Sequence, residues 1–217
     1  KGRCEIRVRT TGHAAHASAP ELGESAILKM VPVIQALDAM VPRLPSDPIL
    51  GKGTQVVSVI GSPHTPNSVP SWCEVTVDRR LVPGESMESI LAEVQAAVSP
   101  LGAEARIPTQ PVRTWTGLQL DGPSFFPGWL LPEDHPLIEA GKATCAALWG
   151  QTPRVEVWKF STDGTYSAGQ ANIPTLGFGP AEEQYVHTPF DQVDLEKLVK
   201  AAMFYALFPL AYQTILQ

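Results

Sequence analysis

The sequence predicts a mixed α/β (α+β) protein, with a ferredoxin-like domain over residues 1–112 followed by an α/β segment over residues 113–217. Hydrophobic patterns in the first half follow the order β-α-β-β-α-β, which is the split βαβ arrangement. After Pro111 the chain becomes rich in proline, glycine and aromatic residues without clear periodicity, as is typical of a domain boundary or a long crossing loop. Beyond residue 133, helical and strand-like patterns resume.

The elements of the first half follow from periodicity. Residues 4–9 alternate apolar and charged side chains, as a strand with one buried face does. A helix is predicted where apolar residues recur at helical spacing from Leu22 to Leu37, and Pro32 inside it predicts a kink or a later start. The remaining predicted elements are strands at 55–60, 72–80 and 103–107 and a helix at 87–98.

The second half carries fewer elements. A helix is predicted over 137–148, and a final helix over 193–210. The stretches 154–160 and 174–178 are nearly continuous in apolar character, which predicts buried parallel strands. Two strands and two helices are too few to cover both faces of a sheet, so this half is expected to be part of a larger layer.

Composition narrows the class of protein. A chain of 217 residues with 44% hydrophobic residues is long enough for one large or two smaller cores, and a net charge of -6 without a basic cluster argues against nucleic acid as a partner. Three widely spaced cysteines without a CxxC pair argue against a disulfide framework and favour the cytoplasm. The least charged stretch, 201–217, is shorter than the about 20 apolar residues of a membrane span. A soluble, cytoplasmic protein is expected.

Two histidine motifs stand near opposite ends of the chain, His16 within residues 12–20 and His187 before Thr188-Pro189. Imidazole binds metals and also acts as an acid near neutral pH. Both motifs follow strand-like runs, where side chains are free to meet a ligand, and together they indicate a metallohydrolase. A metal pair of His13 with His16 is disfavoured because no carboxylate or thiolate stands close by in the sequence.

Five motifs occur in one order along nearly the whole chain: residues 12–26, 67–70, 78–85, 161–164 and 173–189. In this order they resemble the acetylornithine deacetylase, succinyl-diaminopimelate desuccinylase and carboxypeptidase G family of dinuclear zinc hydrolases. The resemblance implies a ferredoxin-like lid domain that mediates dimerisation and is inserted into an α/β catalytic domain. Residues 1–112 would be the lid and residues 113–217 the C-terminal part of the catalytic domain, with the N-terminal part absent.

The resemblance implies a role for each histidine. His187 matches the position of a metal ligand, although His-Thr-Pro by itself could also be a surface turn. The family usually has Asn and then an acid after this motif, whereas Phe190 and Asp191 stand here. His16, spaced as the family spaces it from Pro20, would reach the active site of the partner subunit and stabilise the oxyanion. Either histidine could otherwise be a structural surface residue.

Two further motifs are expected to bind substrate. An amide and a guanidinium in neighbouring strands, Asn67 and Arg80, can hold a carboxylate, although a turn asparagine and a surface arginine are the simpler interpretation without the resemblance. Alternation places Arg80 on the polar face of its strand. Ser161, Thr162 and Gly164 resemble the family's loop near the substrate carboxylate.

The resemblance implies hydrolysis of the amide bond of N-acyl amino acids or small peptides by metal-activated water, with two zinc ions per complete site and cobalt or manganese as possible replacements. The remaining ligands are not recognisable in this chain, and Glu182-Glu183 is taken as a solvated loop. The chain alone is therefore expected to be catalytically incomplete. The alternative is a non-catalytic dimerisation or binding protein. The expected partners are a substrate with a free carboxylate, a second copy bound through the lid, and a missing N-terminal segment.

Overall fold

The structure is a computed structural model that describes residues Lys1 to Gln217. The chain forms two compact units, one from Lys1–Trp129 with Trp158–Gln170 and the other from Leu130–Val157 with Ala171–Gln217. The boundary predicted at residue 112 separates a lid domain from part of a catalytic domain, whereas these two units are defined by contacts within the chain. The predicted boundary therefore stays a prediction.

The first unit contains the predicted ferredoxin-like sheet. Its elements in order are β1 (Gly2–Thr11), α1 (Ala26–Asp38), β2 (Ser46–Asp47), β3 (Gly51–Lys52), β4 (Thr54–Gly61), β5 (Trp72–Leu81), α2 (Met87–Val98) and β6 (Ala103–Arg106). The main sheet has the order β4-β5-β1-β6, and every pairing in it is antiparallel. This order confirms the predicted βαββαβ arrangement. The short strands β2 and β3, of two residues each, pair with each other outside this sheet.

One face of this sheet is buried under α1 and α2, and the other carries charged residues. The core contains Cys4, Ile6 and Val8 of β1, which alternate with charged residues on the opposite face. Burial raises the pKa of the Cys4 thiol to about 12, so this cysteine stays protonated in the fold. Helix α1 begins at Ala26, after its N-cap Ser25, and continues through Pro32. It starts later than Leu22, but Pro32 does not mark this start because it lies inside the helix.

The segment after β6 was expected to be a loop, but it is partly paired. Strands β7 (Thr109–Arg113) and β8 (Gln119–Pro123) form a hairpin, and β9 (Phe125–Phe126) pairs with β1. The composition hid this hairpin because all its strand residues are exposed, so no apolar alternation marks it. The pairing of β9 with β1 extends the first compact unit beyond residue 112.

The second unit is helical. Helix α3 (Pro136–Trp149) confirms the predicted helix there, whereas the short α4 (Gly164–Ser167) belongs to the first unit. The last helix, α5 (Leu195–Ile215), packs against α3, and the rings of Phe178 and Phe204 stack with centroids 3.9 Å apart.

The predicted strands at 154–160 and 174–178 do not form. A strand exists only where its backbone hydrogen bonds to a neighbouring strand, and neither stretch pairs with one. The stretches are not buried either, because every residue in them is half-buried or exposed, so the prediction was wrong about burial as well as about pairing.

Helix α5 begins six residues before the weakly charged stretch 201–217. With 21 residues it is long and apolar enough to cross a membrane by length and composition. Its first turns nevertheless carry Glu196, Lys197 and Lys200, and core helices of soluble proteins meet the same criteria. The expectation that no membrane is involved stays a prediction.

Candidate functional site

His16 and Asn67 lie together at one end of the β1–β5 pair. His16 is in the loop after β1, and Asn67 is in the turn that precedes β5. The Ala17 backbone N–H donates to the Asn67 carbonyl oxygen at 3.0 Å, and His16 forms an isolated bridge with Ser68. Both side chains are exposed. The structure therefore joins two residues that are 51 positions apart in the sequence.

The hydrogen bonds of His16 fix which ring nitrogen can donate. The backbone N–H of Ser18 donates to His16 Nδ1 at 3.2 Å, and the Ser18 hydroxyl oxygen lies 2.7 Å from the same nitrogen. Because Nδ1 accepts a hydrogen bond from the Ser18 backbone N–H, the neutral ring carries its own proton on Nε2. The Nε2–H is then the free donor of an exposed imidazole, which suits the oxyanion-stabilising role that the resemblance implies for His16.

Arg80 lies at the other end of β5, next to its last residue. Eight residues separate it from Trp72, where the strand begins after Asn67, and this corresponds to about 26 Å at roughly 3.3 Å per residue. The turn that contains Asn67 and the end of the strand are thus too far apart for both side chains of one chain to reach the same carboxylate. The assignment of Asn67 and Arg80 to substrate binding stays a prediction.

Arg80 is held by an acidic neighbour on its own strand. Its Nε donates to Asp78 Oδ1 at 2.7 Å and its Nη2 to Asp78 Oδ2 at 3.3 Å. Arg3 of β1 donates from Nε to Asp78 Oδ2 at 2.8 Å. The polar-face position of Arg80 is as predicted, and a third of its side chain is exposed.

The loop with Ser161 and Thr162 leads into α4 and belongs to the same compact unit as Arg80. Both side chains are half-buried. At Gly164 a Cβ atom would collide with the ring of Trp129, so close packing explains the glycine in this motif. Glycine is required there whether or not the loop binds an anion.

His187 lies in the second unit, in a loop that follows a short 3-10 turn at Glu183–Tyr185. Its φ of +62° is in the left-handed region, which is uncommon for a residue other than glycine. The Thr188 hydroxyl fixes this turn, since its Oγ1 donates to the Tyr185 carbonyl at 2.7 Å and accepts the Phe190 N–H at 3.2 Å. Such conformations concentrate at functional sites. This backbone conformation is not evident from the residues around His187.

The residues of this chain do not form a metal site by themselves. No group of three or more histidine, cysteine or acidic side chains stands close enough to hold an ion. His187 can offer one imidazole, and a dinuclear site needs several more ligands. Glu182 and Glu183 are exposed, as predicted for a solvated loop, and a hydrogen bond from Lys197 lowers the pKa of the Glu182 carboxyl.

The motif at residues 78–85 also has a structural role, which the sequence analysis missed. Arg79 is buried, and its Nη2 donates to Glu85 Oε1 at 2.8 Å and its Nη1 to Glu93 Oε2 at 2.8 Å. Glu85 Oε2 also accepts the Val82 N–H at 2.8 Å. The alternation that placed Arg79 on the apolar face was the available signal, because a buried arginine requires a carboxylate partner.

Strand β4 is an apolar edge of the sheet. It pairs with β5 on one side only, and it contains neither charged residues nor proline. Val56, Val59 and Ile60 are 57–59% exposed. Natural sheets usually protect such an edge with charge, proline or a bulge. The register of β4 with β5 shifts once, between Val57 and Val59, whereas the opposite edge strand β6 is short and carries two charged residues. The uncharged residues on either side of this shift leave an apolar edge that another chain can pair with.

Comparisons with known proteins relate the chain to a family of peptidases and amide hydrolases. A family model described as the peptidase dimerisation domain (M20) matches residues 1–106. The chain is 39% identical over 216 residues to the uncharacterized protein YgeY of Escherichia coli K12, covering 98% of this chain and 53% of that protein. It is 26% identical over 204 residues to acetylornithine deacetylase of Proteus mirabilis, covering 90% of this chain and 48% of that enzyme.

A solved structure is similar over almost the whole chain. Aminopeptidase PepT of Bacillus cereus superposes with a TM-score of 0.65 at 21% identity, covering 98% of this chain and 52% of that chain. At this identity the likeness shows the fold alone. The chain spans about half the length of the relatives it matches.

Proposed function

Residues 1–106 belong to the peptidase dimerisation domain family of the M20 peptidases, and from this premise we propose that the chain is part of a zinc-dependent metallohydrolase. The reaction is hydrolysis of the amide bond of N-acyl amino acids or small peptides. The relative named acetylornithine deacetylase supports this class of reaction. Residues 1–112 serve as the lid and dimerisation domain, and residues 113–217 form the C-terminal part of the catalytic domain.

One observation carries the proposal: the residues assigned to substrate stand at opposite ends of β5. His16 and Asn67 lie at the start of the strand, and Arg80 lies at its end, about 26 Å away. Residues so far apart in one chain serve a single substrate only if two chains contribute. His16 and Asn67 of one subunit would therefore complete the site that holds Arg80 of the other.

The homodimer forms through the β4 edge. Its unpaired backbone groups and the exposed side chains of Val56, Val59 and Ile60 favour antiparallel pairing with β4 of a second copy. Leu28 and Val31 on the exposed side of α1 add apolar surface to the same domain.

Each site residue has a defined task. Arg80 binds the free carboxylate of the substrate through paired hydrogen bonds, assisted by Ser161, Thr162 and the backbone at Gly164. His16 donates its Nε2–H to the developing oxyanion, and Asn67 lies beside it to orient the substrate amide. When bound, zinc (or cobalt or manganese) activates the attacking water. His187 supplies one ligand, and the other ligands come from the remainder of the full-length protein.

The first test uses the full-length protein with a panel of N-acyl amino acids. His187→Ala is expected to lower metal content per chain, measured by elemental mass spectrometry after dialysis, and to reduce turnover by at least about 100-fold. His64→Ala replaces an exposed turn histidine and should change neither quantity. Unchanged metal content and turnover in His187→Ala would refute the assignment of the ligand.

The second candidate is a non-catalytic dimerisation or binding protein. It shares with the first candidate the apolar β4 edge as the surface for association. It predicts a stable dimer that binds an N-acyl amino acid without hydrolysing it when all segments are present. Both candidates are expected in the cytoplasm, since the three cysteines are free and buried.

A further inference from the structure

The guanidinium of Arg80 has two edges that can each bind a carboxylate in bidentate fashion. Asp78 occupies the side edge, accepting from Nε at 2.7 Å and from Nη2 at 3.3 Å. This leaves the end formed by Nη1 and Nη2 free, on a side chain that is a third exposed. The orientation of the free end is thus determined by a protein carboxylate before any ligand arrives.

Asp78 is itself fixed from the neighbouring strand. Arg3 is directly opposite Arg80 in the β1–β5 register, and two like charges at such positions repel each other. Asp78 lies between them, with Oδ2 accepting from Arg3 Nε at 2.8 Å. Only 18% of the Asp78 side chain is exposed, so water competes weakly for these hydrogen bonds.

Asp78 thus accepts hydrogen bonds from both arginines, and Arg3 is also 3.9 Å from Glu5. Arg80 is the arginine of this cluster whose Nη1–Nη2 end is left for a carboxylate ligand. Without Asp78 the arginine would keep its charge but lose its orientation, and its long side chain would have to be ordered by the substrate instead.

We propose that Asp78, anchored by Arg3, is a positioning residue that orients Arg80 to bind the substrate carboxylate end-on. This inference rests on the proposed function, because it takes Arg80 as the carboxylate-binding residue. Asp78 acts through Arg80 and does not touch the substrate.

The test uses the full-length enzyme and two substrates, an N-acetyl amino acid and the same compound with its carboxylate replaced by a carboxamide. Asp78→Asn preserves shape but places an amide N–H₂ against the guanidinium donors. Its kcat/KM for the acid is expected to fall about 10-fold or more, chiefly through a higher KM. The charged hydrogen bonds from Arg80 to Asp78 are lost, so Arg80 is no longer oriented toward the substrate carboxylate. Its kcat/KM for the carboxamide should not change.

A double-mutant cycle separates positioning from a structural role. In an Arg80→Ala background, Asp78→Asn should cause no further loss, because there is no guanidinium left to orient. Glu74→Gln is the matched control: Glu74 is an acid on the same face that contacts Arg9 and Arg106 but not Arg80. It should leave kcat/KM for both substrates as in the unmodified enzyme.

The outcomes are distinguishable. If Arg80→Ala lowers kcat/KM for the acid but Asp78→Asn does not, the positioning role is refuted and the proposed function stands. If Asp78→Asn affects both substrates equally, or affects the Arg80→Ala enzyme as well, its role is structural and the inference fails. If Arg80→Ala itself has no effect on the acid substrate, the assignment of Arg80 fails together with the inference.

Discussion

Two adjacent arginines show how strand alternation gives one residue type two different roles. Arg79 points into the core and is 1% exposed, whereas Arg80 points to the open face with a third of its side chain exposed. The buried guanidinium is stable only because Glu85 and Glu93 accept its hydrogen bonds. The exposed one has a free end and remains available for a ligand.

We predict that Arg79→Met lowers the free energy of unfolding by about 3–5 kcal/mol, because it leaves the buried Glu85 carboxylate without its ionic partner. Arg80→Met, one residue further on, should lower it by less than about 1 kcal/mol, since this ion pair is partly screened by water. Urea denaturation followed by circular dichroism measures both values. Equal losses in the two variants would contradict the assigned faces.

Contacts of a single residue also explain the backbone conformation of His187. Its left-handed backbone is maintained by the Thr188 hydroxyl, which bridges the Tyr185 carbonyl and the Phe190 N–H. The imidazole is therefore presented from a defined turn, although the sequence around it resembles an ordinary surface turn.

At the scale of elements, the N-terminal end of helix α2 is fixed by side-chain hydrogen bonds. Helix α2 begins with a reciprocal capping box: Ser86 Oγ accepts the Ser89 N–H at 3.1 Å, and Ser89 Oγ accepts the Ser86 N–H at 3.1 Å. This helix covers the core with Ile90, Val94 and Val98. Its start therefore determines how the sheet is covered.

We predict that Ser86→Ala destabilises the first unit by about 1 kcal/mol, because the Ser89 backbone N–H at the start of α2 loses its acceptor, Ser86 Oγ. Ser86→Asp keeps an acceptor at the positive end of the helix and should restore most of the stability. The unfolding midpoint in urea reports both changes. A midpoint in Ser86→Ala equal to that of the unmodified chain would show that the cap contributes nothing.

At the scale of the whole molecule, the arrangement of the proposed site requires two copies. The β4 edge offers the surface for pairing. Because Asn67 and Arg80 of one chain are far apart, only a second copy could bring both residues to one substrate. In the proposed dimer, substrate binding depends on dimerisation, since loss of the dimer would remove His16 and Asn67 from the partner's site.

We predict that Val59→Asp in β4 converts the dimer to a monomer at micromolar concentration, because a buried, unpaired charge at the strand edge opposes association. Light scattering coupled to size exclusion measures the mass. Val112→Asp in β7 is the control, as Val112 is similarly exposed but lies in the separate hairpin. A dimer that survives Val59→Asp but not Val112→Asp would place the interface at the hairpin instead.

The sequence by itself determined the order of elements in the first half, the burial of alternate β5 residues and the bounds of α2. These are local properties, because the period of the apolar pattern specifies both the element and its buried face. Its five ordered motifs also identified the family, which the match over residues 1–106 supports.

Only the tertiary structure decided which distant residues meet. It joined His16 to Asn67, separated both from Arg80, paired Arg79 with Glu85, and left the stretches 154–160 and 174–178 without strand partners. Strand pairing, register and ion pairing depend on contacts between residues far apart in the chain. A periodic pattern indicates which face of an element is buried, but not which neighbouring element covers it. For this reason the sequence could propose individual site residues, but it could not predict which of them lie close together.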